Sequence, residues 1–492
     1  MNFIAACASF ERIILDRTQP LNFASVNQLA EMSEMVQSFP PTFKWGVATS
    51  SYQIEGAADV DGRGKSIWDT FCATPGKVVN QENGDVACDH YHLYPQDVEL
   101  MRNLNIQTYR FSIAWPRLFP QGDSIRESRG FDFYDRLIDS LLENNIEPCA
   151  TLYHWDLPQT LQDKGGWANR EIVDRFAEYS QAVVSHFGDR VSEWITLNEP
   201  WCTSWLGYMS GVHAPGVRDL KQAMLAAHHT ALAHAEATRA IRSVQPNAKV
   251  GLAVNLTNYI VQDETNEESM ALAKLMDSIL NRWWLDAAVL GKYPENLIEH
   301  YGSLWTDNVS DSDLALLKVD TDFVGVNYYS DSFISTPSEL DGPISDGGLF
   351  PFPQRNGSHL PEPKTDMGWP ITPSGLGKLT RRIHEDWPEI PAIYITENGA
   401  AFDYPVDASD RIQDEERVDY LHEHIKSLGL AVAAGVPVER YFAWSFLDNF
   451  EWAEGYAKRF GIVHVDFKSL ERTPKDSAYY YRNLISAHMN MS

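Results

Sequence analysis

Two glutamates stand where an apolar run ends. Glu199 closes Trp194-Ile195-Thr196-Leu197-Asn198 and precedes Pro200, and Glu397 closes Ile393-Tyr394-Ile395-Thr396 and precedes Asn398-Gly399. A carboxyl group at the end of a buried strand is costly unless it is paired or put to use. Either acid alone reads as a capping or salt-bridged group, but two in matching positions weaken that reading. The chemistry that needs two carboxyls across one bond is glycoside hydrolysis. One is protonated to assist the leaving oxygen, and the other is ionised to meet the oxocarbenium-like centre. Mutual repulsion separates their pKa values in the required sense, because the ionised partner raises that of the acid.

Such residues need a scaffold that makes them converge. Eight short runs rich in β-branched, aromatic and other apolar residues recur along the chain, at 44–49, 107–112, 148–153, 193–197, 249–254, 322–326, 392–396 and 440–445. Helix-period segments lie between them. One spans 218–243, with Leu220, Met224, Leu225, His228, Leu232 and Ala235 on one face. Another spans 374–387, with Thr372 placed to cap it and Pro373 in its first turn. Near-continuous apolar strands alternating with helices predict a parallel sheet covered on both sides. Eight units favour an α/β fold closed into a (β/α)₈ barrel over a doubly wound sheet, and no G-x-G-x-x-G follows the first strand. Gln53, His154, Asn198, Glu199, Asn327, Glu397, Asn398, Glu451 and Trp452 all fall just after a strand. That edge of a barrel is where active sites are assembled.

Length and composition set the outer bounds. The 492 residues fit one barrel with loop insertions, and no Gly/Ser or Pro-rich linker divides them. Residues 39–488 are read as a single barrel domain and 1–38 as an N-terminal extension, poorly ordered or forming a short helix. A net charge of −28 disfavours nucleic acid and anionic membrane as partners and suits a neutral substrate. The 15 tryptophans fit sugar stacking, although most could equally be core. The five cysteines, Cys7, Cys72, Cys88, Cys149 and Cys202, are widely spaced without a C-x-x-C pair, which points to a reducing compartment. The N-terminus lacks a basic n-region and is interrupted by Glu11, Arg12 and Asp16, a poor signal peptide. A cytoplasmic location is therefore expected, with translation starting at Met32 or Met35 as an alternative account of the extension.

Six ordered segments carry a resemblance. They are Phe43-Lys44-Trp45-Gly46-Val47-Ala48-Thr49-Ser50-Ser51-Tyr52-Gln53-Ile54-Glu55-Gly56, Tyr109-Arg110-Phe111-Ser112-Ile113-Ala114-Trp115-Pro116-Arg117, Tyr153-His154-Trp155-Asp156-Leu157-Pro158, Thr196-Leu197-Asn198-Glu199-Pro200, Ile395-Thr396-Glu397-Asn398-Gly399, and Trp444-Ser445-Phe446-Leu447-Asp448-Asn449-Phe450-Glu451-Trp452. Over nearly the whole chain the sequence resembles the family 1 glycoside hydrolases, which include microbial and plant β-glucosidases. The resemblance implies a retaining double displacement with Glu397 as nucleophile and Glu199 as acid/base, their carboxyls about 5–5.5 Å apart. It implies that Asn198 binds the sugar 2-hydroxyl and that Arg110 and Tyr329 keep Glu397 ionised and oriented. It assigns the non-reducing sugar to Gln53, His154, Trp155, Asn327, Glu451, Trp452 and Phe460, with Trp444 as stacking floor. Trp369 matches the platform for the leaving-group sugar, while Trp201, Leu206 and the loop 330–368 would shape the entrance. No metal or cofactor is implied.

The same comparison narrows the substrate. The Glu451-Trp452-Ala453-Glu454 stretch would repel a 6-phosphate. A Gln–Glu pair tolerates either orientation of the 4-hydroxyl, so glucosidase activity with a side activity on galactosides or fucosides is expected. Substrates would be β-glucosides and short cellooligosaccharides, with the preferred aglycone and the oligomeric state open. A transglycosylating enzyme and a non-catalytic sugar-binding barrel are the alternatives. His228, His229, His234, His422 and His424 lack metal-ligand spacing and read as surface or core residues, and Cys202, near Glu199 but without a partner histidine, reads as packing.

Overall fold

The computed structural model describes residues 26–334, 360–407 and 411–491. The eight apolar runs form eight parallel strands: β1 (Lys44–Ala48), β2 (Thr108–Ser112), β3 (Glu147–Tyr153), β4 (Glu193–Asn198), β5 (Lys249–Asn255), β6 (Phe323–Asn327), β7 (Ile393–Asn398) and β8 (Val438–Trp444). Each pairs with its neighbours in sequence, and β8 returns to β1 with Lys44 opposite Arg440 and Ala48 opposite Trp444. The sheet is therefore a closed (β/α)₈ barrel, and the doubly wound alternative is excluded. Closure removes every edge from this sheet, and helices cover its outer face.

The barrel interior is filled by side chains rather than left open. Ala48, Cys149, Ile195 and Ala253 share it with Phe323, Tyr394 and Phe442, and the rings of Phe323 and Tyr394 stack at 4.0 Å. Small residues in one layer make room for aromatics in another, so the interior packs without a pore. Outside, the long helix Leu220–Val244 starts at Asp219, whose carboxylate accepts the Gln222 backbone N–H at 2.8 Å. Met224, His228, Leu232 and Ala235 are buried, as the periodicity predicts, with Leu220 and Leu225 packed at the margin.

The helix Pro373–Asp386 begins as expected, with proline in its first turn, but Thr372 does not cap it. Its hydroxyl instead accepts the Asp331 N–H at 2.8 Å and lies 2.9 Å from the Tyr328 hydroxyl. The side chain is spent tying the loop after β6 to the start of the helix Pro373–Asp386. Within the N-terminal extension, Val26–Val36 is helical, and Met32, Met35 and Val36 are buried against the core. Residues 335–359 of the entrance loop, and Cys7, lie outside the described residues.

Candidate active site

The strands deliver their last residues to one cavity of about 420 Å³ at the C-terminal end of the barrel. Glu199 follows β4, and Glu397 is the penultimate residue of β7. Register shifts interrupt the ladders between Ile195 and Asn198 and between Val326 and Asn327, so the side chains at these strand ends leave the simple alternation. Bulges of this kind re-aim side chains next to active sites. The backbone is also strained at the rim: Glu199, Trp155 and Trp452 occupy the left-handed region at φ 45°, 76° and 49°. Gly399 allows the turn after β7 to press against β8, since a Cβ there would lie 1.7 Å from the Trp444 carbonyl oxygen.

The two glutamates have different surroundings. Glu397 is gripped on both oxygens: Arg110 Nη1 donates to Oε1 at 2.6 Å, and the Tyr329 hydroxyl donates to Oε2 at 2.6 Å. Among the described residues Glu199 receives neutral donors, Asn327 Nδ2 at 2.7 Å on Oε1 and the Cys202 thiol at 3.1 Å on Oε2. Burial pushes the Glu199 carboxyl up to about 7, helped by the charge of Glu397. Burial also raises Glu397, but the Arg110 charge and the Tyr329 hydroxyl oppose it. Of the pair, Glu397 holds the negative charge and Glu199 the proton, because the guanidinium lies against Glu397.

One hydrogen-bonded chain ties these groups together. Arg110 Nη2 donates to Asn198 Oδ1 at 2.6 Å, and Arg110 Nε to Thr151 Oγ1 at 3.2 Å. Asn327 Nδ2 also reaches Asn198 Oδ1 at 3.0 Å, while its own Oδ1 accepts the Thr396 hydroxyl at 2.6 Å. With its oxygen so occupied, Asn198 turns its amide N–H toward His154 Nε2 at 3.0 Å. His154 Nε2 is thus an acceptor, which places the ring proton on Nδ1. Burial, followed by the Arg110 charge, holds His154 far below the usual imidazole range, so it is neutral.

Of the residues singled out in the sequence, His154, Trp155, Asn198, Glu199, Asn327, Tyr329, Trp369, Glu397, Trp444, Glu451, Trp452 and Phe460 line the cavity, together with Trp201 and Leu206 at its mouth. The rings are layered: His154 stacks over Trp444 at 5.8 Å and Trp452 at 6.0 Å, and Trp155 meets Trp452 at 4.5 Å. Arg110 is fully buried behind Glu397. Gln53 is also withdrawn: its amide nitrogen donates to Asn449 Oδ1, the Phe450 carbonyl and Glu451 Oε2 at 3.0, 2.8 and 3.5 Å, and its oxygen accepts the Ser50 hydroxyl. In this arrangement Gln53 backs Glu451 instead of lining the cavity. Burial raises the half-buried Glu451 to about 8.

Sequence reasoning missed His213, Asn255, Leu256 and Leu280, while Met367 comes from the loop expected to shape the entrance and Glu454 lines the cavity beside Glu451. Asn255 ends β5 and carried the strand-end signal unread, whereas His213, Leu256 and Leu280 come from loops or a helix turn that only folding brings to the rim. Cys202 is buried in the core, as its reading as packing expects, and its thiol in addition donates to Glu199 Oε2 at 3.1 Å. The histidines set aside in the sequence include buried core residues: His228, His229, His234 and His424 bond to Tyr293, Trp167, Thr196 and Tyr420.

The fold and this carboxyl pair define a barrel protein of the glycosidase class. More particularly, the chain belongs to glycosyl hydrolase family 1, whose family model matches residues 35–490. It is 46% identical over 451 residues to beta-glucosidase A of Thermotoga maritima, covering 92% of this chain and 98% of that one. It is 40% identical over 466 residues to the bifunctional beta-D-glucosidase/beta-D-fucosidase of Bifidobacterium breve, covering 92% and 99%. Among solved structures, the beta-glucosidase from Thermotoga maritima in complex with glucoimidazole superposes with a TM-score of 0.84 at 44% identity, covering 92% of this chain and 99% of the other.

Proposed function

We propose that this protein is a retaining β-glucosidase that removes terminal glucosyl residues from β-glucosides and short oligosaccharides. The observation that carries the reading is the asymmetry of the carboxyl pair, with Arg110 and Tyr329 on Glu397 and neutral donors on Glu199. Ionised Glu397 attacks the anomeric carbon as Glu199 gives its proton to the departing oxygen. Glu199, now a base, takes a proton from the water that breaks the glycosyl–Glu397 bond, and the sugar leaves with its configuration retained. The Asn198 amide and the neutral His154 Nδ1–H donate to sugar hydroxyls, Glu451 accepts from them, and Trp444 provides the stacking floor. Trp369, Trp201 and Leu206 take the leaving group.

The bifunctional relative supports a side activity on fucosides, and Glu451 backed by Gln53 supports tolerance at the 4-hydroxyl. Four buried free thiols, Cys72, Cys88, Cys149 and Cys202, favour a cytoplasmic location, and no helix among the described residues is long and apolar enough to cross a membrane. We take residues 39–488 as the single catalytic domain, preceded by the extension 1–38. The test is nuclear magnetic resonance of the first product released from p-nitrophenyl β-glucoside. A β-anomer is expected, and an α-anomer or no release would sink the reading. Glu199→Ala with azide should give a β-glycosyl azide; an α-azide would exchange the roles of the two acids.

A further inference from the structure

Glu199 has two oxygens and two side-chain donors, and the second donor comes from its own chain three residues on. Cys202 opens the helical segment Cys202–Ser210, whose first turn is pinned by the Thr203 N–H on the Glu199 carbonyl at 3.2 Å and the Ser204 hydroxyl on the Pro200 carbonyl at 2.6 Å. The left-handed backbone of Glu199 and this turn together bring the buried thiol to within 3.1 Å of Oε2. The Asn327 amide holds Oε1 at 2.7 Å, the shorter and stronger of the two contacts, and leaves Oε2 to the weaker thiol donor.

We propose that Cys202 is a positioning residue for the acid/base, its thiol donating to Glu199 Oε2 so as to aim that oxygen and favour the ionised form after the proton has left. The inference rests on the assignment of Glu199 as acid/base. A thiol is a weak donor, so it stabilises the carboxylate modestly and still yields the oxygen to substrate. Burial and Glu397 raise the Glu199 carboxyl, while Asn327 and Cys202 both oppose them, which is the direction a donor to the ionised form must act. A hydroxyl in place of the thiol would oppose them more strongly, and a methyl not at all.

The experiment is the pH profile of kcat/KM for p-nitrophenyl β-glucoside in the parent, Cys202→Ala, Cys202→Val and Cys202→Ser proteins. The alkaline limb should move to higher pH by about half a unit or more in Cys202→Ala and equally in Cys202→Val, which restores the volume without a donor. It should move to lower pH in Cys202→Ser. Limbs that superimpose in all four proteins overturn the proposal, as does a displacement of Cys202→Ser equal to that of Cys202→Ala. Glu199→Gln is the control for the underlying assignment. If the limb persists there, the acid/base reading fails; if it vanishes there yet stays fixed in the Cys202 variants, only the role of Cys202 falls.

Discussion

The two ends of the barrel use the same residue types to opposite effect. At the N-terminal end, Glu147 and Glu193 face Arg440, which donates to them at 3.0 and 2.6 Å, and Lys44 reaches Glu147 at 3.0 Å. The Tyr394 hydroxyl adds a bond to Glu193 at 3.2 Å. Despite burial, the Arg440 charge followed by Lys44 holds the Glu147 carboxyl below its usual range. At the C-terminal end Glu199, Glu397 and Glu451 share a cavity in which Arg110 bonds Glu397, and Glu199 and Glu451 are raised. Charge balance separates the two ends. Where cations match acids the carboxyls serve as structural ion-pair partners, and where acids outnumber cations burial and repulsion favour holding a proton, which makes it available for transfer.

The sharpest break of this comparison is Glu397→Ala, which should lower turnover by about 10⁴-fold or more while the folded protein persists. Retained activity in a steady-state assay would place the chemistry elsewhere. At the opposite end, Arg440→Met should leave kcat/KM within a few-fold but destabilise the fold by about 3 kcal/mol, since buried Glu193 loses the guanidinium that donates to it at 2.6 Å and keeps only the more distant Lys249 at 3.9 Å. Urea unfolding reads this directly, and an unchanged midpoint would show that the lower network is ornamental.

Tyr329→Phe removes one donor from the ionised Glu397, with an expected loss of about 1.5–3 kcal/mol in transition-state binding, or roughly 10–10²-fold in kcat/KM. Because the lost bond favours the charged form, the acidic limb of the pH profile should move up; a downward move would contradict the assignment of charge within the pair. The smallest effect concerns stability. Glu451, raised to about 8, binds more protons folded than unfolded, so its contribution is present below the unfolded carboxylate pKa and is lost as pH rises through the folded value. Glu451→Gln should therefore flatten the fall in Tm between pH 5 and 8. Parallel melting curves for the two proteins would mean that Glu451 is ionised throughout.

Much of this was legible in the chain. Strands of a closed parallel sheet are buried on both faces, so β1 to β8 stood out as short apolar runs, and the polar residues after them marked one end of the barrel. Local chemistry was less faithful where a side chain had a distant alternative. Thr372 occupies the cap position, yet its hydroxyl prefers the Asp331 N–H, a partner 41 residues away that sequence spacing cannot show. The partners that hold the Gln53 amide, Asn449 and the Phe450 carbonyl, come from nearly four hundred residues further on, which sequence spacing likewise cannot show.

What the amino-acid sequence determined by itself was the periodicity: eight strands, the helices between them, and the placing of Glu199 and Glu397 at strand ends, because these depend on contacts each segment makes with any apolar neighbour. Tertiary structure alone decided which acid meets a cation. Arg110 reaches Glu397 across 287 residues only when β2 and β7 face one another through the closed barrel, and the bulge and left-handed turn at Glu199 leave that carboxyl to Asn327 and Cys202. The pKa of a buried group is set by the few charges within reach, and reach is a property of the fold.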